Sequence, residues 1–164
     1  MHPDISQLPS QIFYDGRLQD GPDMALKTRK VWHNDERFGA YKFYSVKNGR
    51  EEPARIGHSL VNKAECQVIL ALFDRLRREY TSFDFDNKIG IVSMYKAQVM
   101  ELKKTFQLRY GPSIVETVDF NTVDGFQGQE KDIIILSCVR AGTTLATVGF
   151  LAGKFYIHSA KECY

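Results

Sequence analysis

The sequence predicts an α/β protein built on a parallel sheet flanked by helices. Two observations carry that expectation. Strand-forming runs at Lys88–Ser93, Ile114–Val118 and Asp132–Val139 alternate with amphipathic stretches at Asn62 to about Tyr80 and Tyr95–Arg109. The last run, Asp132–Val139, is apolar at nearly every position, as strands covered on both faces of a parallel sheet are. Strands joined by helices in this order imply right-handed crossovers and an α/β layer architecture.

The elements follow in order. Residues 1–24 are rich in turn signals (His2-Pro3-Asp4, Leu8-Pro9-Ser10, Tyr14-Asp15-Gly16, Asp20-Gly21-Pro22) and read as an irregular opening with one helical turn at most. Tyr41–Val46 is rich in strand formers and partly alternating, so it reads as a strand whose aromatics enter the core, ended by the turn signal Asn48-Gly49. From Asn62, apolar residues recur at Cys66, Ile69, Leu70, Phe73 and Leu76, the spacing of a helix face, and Asn62 with Glu65 resembles a capping box. Lys88–Ser93 is a short apolar strand, and Tyr95–Arg109 is a helix with Val99, Leu102 and Phe106 on one face. Ile114–Val118 reads as the next strand. Asp124–Glu130 is a glycine-bearing loop ahead of the strand Asp132–Val139.

Composition sets the outer limits. The chain has 164 residues, 43% hydrophobic, 12% aromatic and 26% charged, enough for the core of one domain and unlike a disordered chain. No apolar run approaches the roughly 20 residues of a membrane helix, and Met1–Ser10 does not read as a signal peptide, so no membrane partner is expected. A net charge of +2 neither demands nor excludes nucleic acid. Cys66, Cys138 and Cys163 are scattered, without metal-binding spacing, and fit a reducing compartment.

No self-sufficient catalytic centre is visible. The phosphate loop Gly-x-x-x-x-Gly-Lys-Ser/Thr is absent, Gly153-Lys154 being followed by Phe155, and neither an apolar strand ending in Asp-Glu nor a Gly-x-Ser-x-Gly elbow occurs. No catalytic residue and no metal ligand is assigned. The stretch Val118–Ala141 is the most informative. Gly125 and Gly128 allow close approach or positive φ, while Gln127, Gln129 and Glu130 offer acceptors suited to sugar hydroxyls, and Arg140 adds a fixed cation. The same groups could equally satisfy one another in an ordinary loop.

This stretch resembles motifs V and Va of superfamily 1B helicases, in their senataxin-like branch. Met1–Ser6 with Phe13–Leu18 is similar to the opening of the family's second RecA-like domain. Ser59–Asn62 with Glu65 resembles the stretch before its first long helix, and Ile89–Gln98 resembles motif IV. The resemblance runs over about residues 1–151 and implies a RecA-like second helicase lobe at 1–152, incomplete, followed by a disordered non-family tail at 153–164.

The resemblance further implies ATP and Mg as cofactors of the full-length family member, with ATP held between two lobes. Gly128 and Glu130 would meet the nucleotide, the Glu near the ribose, and Gln127 would couple nucleotide state to the nucleic-acid track. Ser93, Tyr95 and Thr122 would line that track, with Arg140 beside them, on single-stranded RNA or DNA. Each has a plainer reading: Ser93 as a helix cap, Tyr95 as packing, Arg140 as a surface ion pair, His2 as a turn residue, and the lysines 96, 103 and 104 with Arg109 as a solvated face.

Departures matter as much. The family's Gln-Tyr-Arg, which precedes Met-His-Pro, does not stand before Met1. The match ends at Gly149–Ala152, short of the motif VI arginine finger, and the first lobe with the Mg ligands is absent. The expectation is a helicase fragment, inactive by itself, with a truncated gene model or retained intron behind the tail. The alternatives are a non-catalytic nucleic-acid or protein binding module, or a nonfunctional truncation product. The resemblance implies a nuclear location, with a cytoplasmic one open.

Overall fold

The computed structural model describes residues 1–55 and 57–141, and the chain divides into two compact units, with the boundary between Ser45 and Val46. The proposed tail at 153–164, Cys163 and the family match at Gly149–Ala152 lie outside the described residues.

The first unit opens with a true helix, α1, Pro3–Phe13, where the sequence suggested irregular chain. His2 caps it, its Nδ1 accepting the Asp4 N–H at 3.2 Å, which makes His2 the structural residue its place beside Pro3 suggested. Pro3 starts the helix where a missing N–H costs nothing. Pro9 reads as a breaker, yet it sits buried inside α1, and the Ser6 hydroxyl, donating to the Asp20 carboxylate at 2.7 Å, ties the following segment back. A short helix α2, Met24–Lys27, and a 3₁₀ turn at Val31–Asn34 follow, with Trp32 and Phe38 buried.

The expected strand at Tyr41–Val46 does not form. Among the described residues no neighbouring strand offers it a ladder, so β propensity has nothing there to pair with. Its aromatics are not core either: Phe43 is 76% exposed, and the Tyr44 hydroxyl donates to the Arg37 carbonyl instead. The turn at Asn48-Gly49 is present, closed by the Gly49 N–H on the Val46 carbonyl at 2.9 Å.

In the second unit a small antiparallel pair, β1 (Glu52–Pro53) and β2 (Leu60–Val61), precedes α3, Lys63–Glu79. Asn62 is the N-cap of α3, as predicted, and Cys66, Ile69, Phe73 and Leu76 form its buried face. Then come β3 (Ile89–Ser93), α4 (Lys96–Tyr110), a short helix α5 (Ile114–Thr117), β4 (Val118–Thr122), a one-turn helix α6 (Val123–Phe126) and β5 (Ile133–Ser137). Strands β4, β3 and β5 make a parallel sheet in that order. An edge-to-face series of rings, Phe73 to Phe106 and Phe106 to Phe120, each 5.1 Å between centroids, joins α3 through α4 to β4.

Two expectations are corrected here. Ile114–Thr117 is helical, and the strand begins only at Val118, because the alternation that fits the sheet is buried Val118 and Phe120 with half-buried Asp119 and Asn121 between them. The fully covered strand is β3 rather than β5. Among the described strands β3 lies in the middle and all five of its residues are buried, whereas Ile133–Leu136 stay partly exposed beside it.

Candidate nucleotide and nucleic-acid sites

Parallel register places Ser93 beside both Thr122 and Ser137, so three hydroxyls stand in a row at the carboxyl ends of the strands. That edge is where open α/β sheets bind ligands. Ser93 is fully buried. Its hydroxyl donates to the Ser137 carbonyl at 2.9 Å and accepts the Tyr95 N–H at 3.3 Å. Tyr95, not Ser93, is the N-cap position of α4. Thr122 is half-buried and caps α6, its hydroxyl accepting the Gly125 N–H at 3.1 Å.

Arg140 leaves the sheet beyond β5 and lies against Tyr95 and Glu51. Its Nε is 3.2 Å from Glu51 Oε2, close enough for ionic attraction but not aligned for a hydrogen bond. Burial pushes the Tyr95 phenol above its usual range, and the guanidinium of Arg140, bonded to it, pulls the other way. The cation is thus held at the sheet edge, half-buried rather than waving in solvent.

The residues read as nucleotide ligands stand elsewhere. Gln127, Gly128, Gln129 and Glu130 are all exposed on the loop between α6 and β5. Below them Phe126 is fully buried. Gly125 is tightly enclosed by the Asn121 side chain, whose Nδ2 donates to the Gly125 carbonyl at 2.9 Å. Gly128 has φ +80°, and a Cβ there would meet open space. After the loop, Lys131 is fixed by an ion pair to Asp119 and by donation to the Asn87 carbonyl at 3.0 Å. A carboxylate and two primary amides on an accessible loop suit the hydroxyls of a nucleotide sugar. Among the described residues no group of three or more carboxylates, histidines or cysteines is placed to hold a metal ion.

The sequence missed a buried polar network behind the sheet edge. Gln98 Nε2 donates to the Asn62 carbonyl at 3.1 Å and to the Ser137 hydroxyl at 2.9 Å, and its Oε1 accepts the Asn62 N–H at 2.8 Å. The Ser137 hydroxyl donates to Glu65 Oε2 at 2.6 Å, which also accepts the Val139 N–H at 3.0 Å. Asn62 Nδ2 donates to the Val139 carbonyl at 3.0 Å and to Glu65 Oε1 at 3.1 Å. Val139 has φ +69°, and the Arg140 N–H closes a γ-turn on the Cys138 carbonyl at 2.8 Å. A β-branched residue in that conformation costs on the order of 1–3 kcal/mol, and it persists because both of its peptide groups are bound by side chains. The capping-box signal at Asn62 and Glu65 was the visible part of this network.

A parallel sheet flanked by helices, with polar groups at its carboxyl edge and a glycine-bearing loop ahead of β5, is the architecture of a RecA-like helicase domain. A family described as an AAA domain matches residues 1–155. Helicase SEN1 of Saccharomyces cerevisiae is 46% identical over 152 residues, covering 92% of this chain and 7% of that protein. The regulator of nonsense transcripts 1 homolog of Drosophila melanogaster is 35% identical, over 92% of this chain and 13% of its own length. The probable helicase senataxin of Homo sapiens is 32% identical, over 93% and 5%. The chain belongs to this AAA-domain family, among the Sen1- and senataxin-like helicases of superfamily 1B, and spans only a small part of these relatives.

Proposed function

We propose that the chain is the second RecA-like lobe of an ATP-dependent RNA or DNA helicase and works in two places. At the sheet edge, the half-buried Thr122 and Arg140 bear on the phosphate backbone of a single strand, with the buried Ser93 and Tyr95 shaping that edge from behind. On the loop, Gln127, Gly128 and Glu130 form half of an ATP cleft that a first lobe completes, Glu130 accepting from the ribose hydroxyls. The observation that supports this most is the separation of the two groups: the Arg140 guanidinium and the Thr122 hydroxyl at the carboxyl edge of the sheet, an open loop with unburied acceptors beyond α6. Contacts to phosphates rather than bases make the binding tolerant of sequence and sensitive to salt. The first lobe supplies the phosphate loop and Mg site that this sequence does not contain. Resemblance to the senataxin-like branch favours a nuclear location.

Fluorescence anisotropy with a labelled single-stranded oligouridylate tests the track. The expected result is binding that weakens linearly in log-log plots against salt, without ATP turnover by the chain alone. Arg140→Ala lowers the affinity and the salt slope together. ATP turnover abolished by Glu130→Ala would overturn the half-cleft reading, and salt-independent binding or none would overturn the track.

A further inference from the structure

We infer that Glu65 is a positioning residue for the nucleic-acid track: through the Val139 turn it fixes where Arg140 stands at the sheet edge. This rests on the track reading above and names a residue outside the track. Glu65 lies in the first turn of α3, 75 positions before Arg140 in the chain, and its carboxylate reaches the exit of β5.

The geometry is specific. One carboxylate oxygen accepts from both the Ser137 hydroxyl and the Val139 N–H, at 2.6 and 3.0 Å, and so spans the last residue of β5 and the centre of the γ-turn. The other oxygen accepts from Asn62 Nδ2, the group that also donates to the Val139 carbonyl. Asn62 in turn accepts the Glu65 N–H at 3.2 Å, so cap and carboxylate orient each other. Beyond the turn a second carboxylate, Glu51, accepts the Ala141 N–H at 3.0 Å and lies beside the Arg140 guanidinium. The backbone on both sides of Arg140 is therefore held by carboxylates.

Without Glu65 the Val139 N–H loses its partner, and the left-handed turn loses what offsets its strain. The chain then relaxes toward an extended exit from β5, and Arg140 moves off Tyr95 and Glu51. Gln in place of Glu keeps one strong acceptor for Val139 but opposes an amide to Asn62 Nδ2, so it gives a partial effect where Ala gives a full one.

Two readouts test this, one of them free of nucleic acid. In the isolated chain, the side-chain Nε–Hε resonance of Arg140 in ¹⁵N spectra reports its surroundings. Glu65→Ala shifts or broadens it and Glu65→Gln does so less, whereas Ile69→Val, a mild core change on the same helix, leaves it in place. An unmoved Arg140 resonance in Glu65→Ala overturns the inference, whatever the chain binds. The second readout is oligouridylate affinity. Glu65→Gln weakens it several-fold in the native background and has no further effect in Arg140→Ala. Equal losses in both backgrounds would mean that Glu65 does not act through Arg140. If the native chain binds no oligonucleotide, the track reading fails, and the Arg140 resonance still decides the positioning.

Discussion

Replacing Gly90 with alanine places a methyl group against the ring of Phe126. Gly90 lies in β3, the covered middle strand, and a Cβ built there falls 2.8 Å from Cζ and 3.0 Å from Cε2 of Phe126. Carbon atoms pack at about 3.5–4.0 Å, so something must move by more than half an ångström. The Phe126 ring has little freedom to do so, being 0% exposed and packed in a cluster with Val92 and Val123. Overpacking of this kind costs about 1–3 kcal/mol. Loss of glycine's freedom in the unfolded chain offsets about 0.4–1 kcal/mol of that. The net expectation is a destabilisation of about 1–2 kcal/mol, or a Tm lower by about 2–8 °C for a chain of this size. Urea unfolding followed by circular dichroism measures it, with m unchanged if only packing is affected. In a Phe126→Leu background the clashing Cζ is gone, so Gly90→Ala costs less there. An equal loss in both backgrounds, or no loss in the native one, would refute the argument. Because Phe126 ends α6, the same strain also reaches the Gln127–Glu130 loop.

Other perturbations report on the rest of the account. Asn62→Ala removes the α3 cap, worth about 0.5–2 kcal/mol, and leaves the buried Val139 carbonyl unpaired at a further 1–3 kcal/mol or so, giving a loss of about 2–4 kcal/mol in urea unfolding. A loss below about 0.5 kcal/mol would show the network to be ornamental. Burial pushes the Cys66 thiol from 9.0 up to about 12, with Glu101 and Glu65 adding to the shift. Its unfolded form therefore ionises first, the unfolded state holds fewer protons above about pH 9, and the stabilisation present below that pH is lost as pH rises toward 12. Comparing unfolding at pH 8 and pH 10.5, the native chain should fall more steeply than Cys66→Ala. Cys66 should also resist alkylation at neutral pH until the chain unfolds. Thr122→Val keeps the shape of β4 but removes the acceptor for the Gly125 N–H, so amide exchange at Gly125 should accelerate while that at Ile91 stays slow.

The two long helices were legible in the sequence because each signal is local: an apolar face at helical spacing and, for α3, a cap three residues from its partner. What failed depended on neighbours. Pro9 looked like a helix breaker because the burial that holds α1 together is not written near it. Tyr41–Val46 has strand composition and, among the described residues, no strand to join. Ile114 and Val115 are β-branched yet helical, since the sheet register begins at Val118 opposite Ile89. The candidate residues were found by resemblance over ordered motifs, and their chemistry by residue type. Their spatial division was not legible, because it follows from the direction in which β4, α6 and β5 run. The support for Arg140 was least visible, since it joins Asn62 and Glu65 to Val139 across more than 70 residues of chain.

The most direct test of the account is a ¹H–¹⁵N titration of the labelled chain with a single-stranded oligouridylate at low and moderate salt. The account predicts shifts at the amides of Ser93, Tyr95, Thr122 and Arg140 that diminish together as salt rises. Shifts confined to the exposed lysine face of α4, around Lys103 and Lys104, would place the strand on another surface and contradict it.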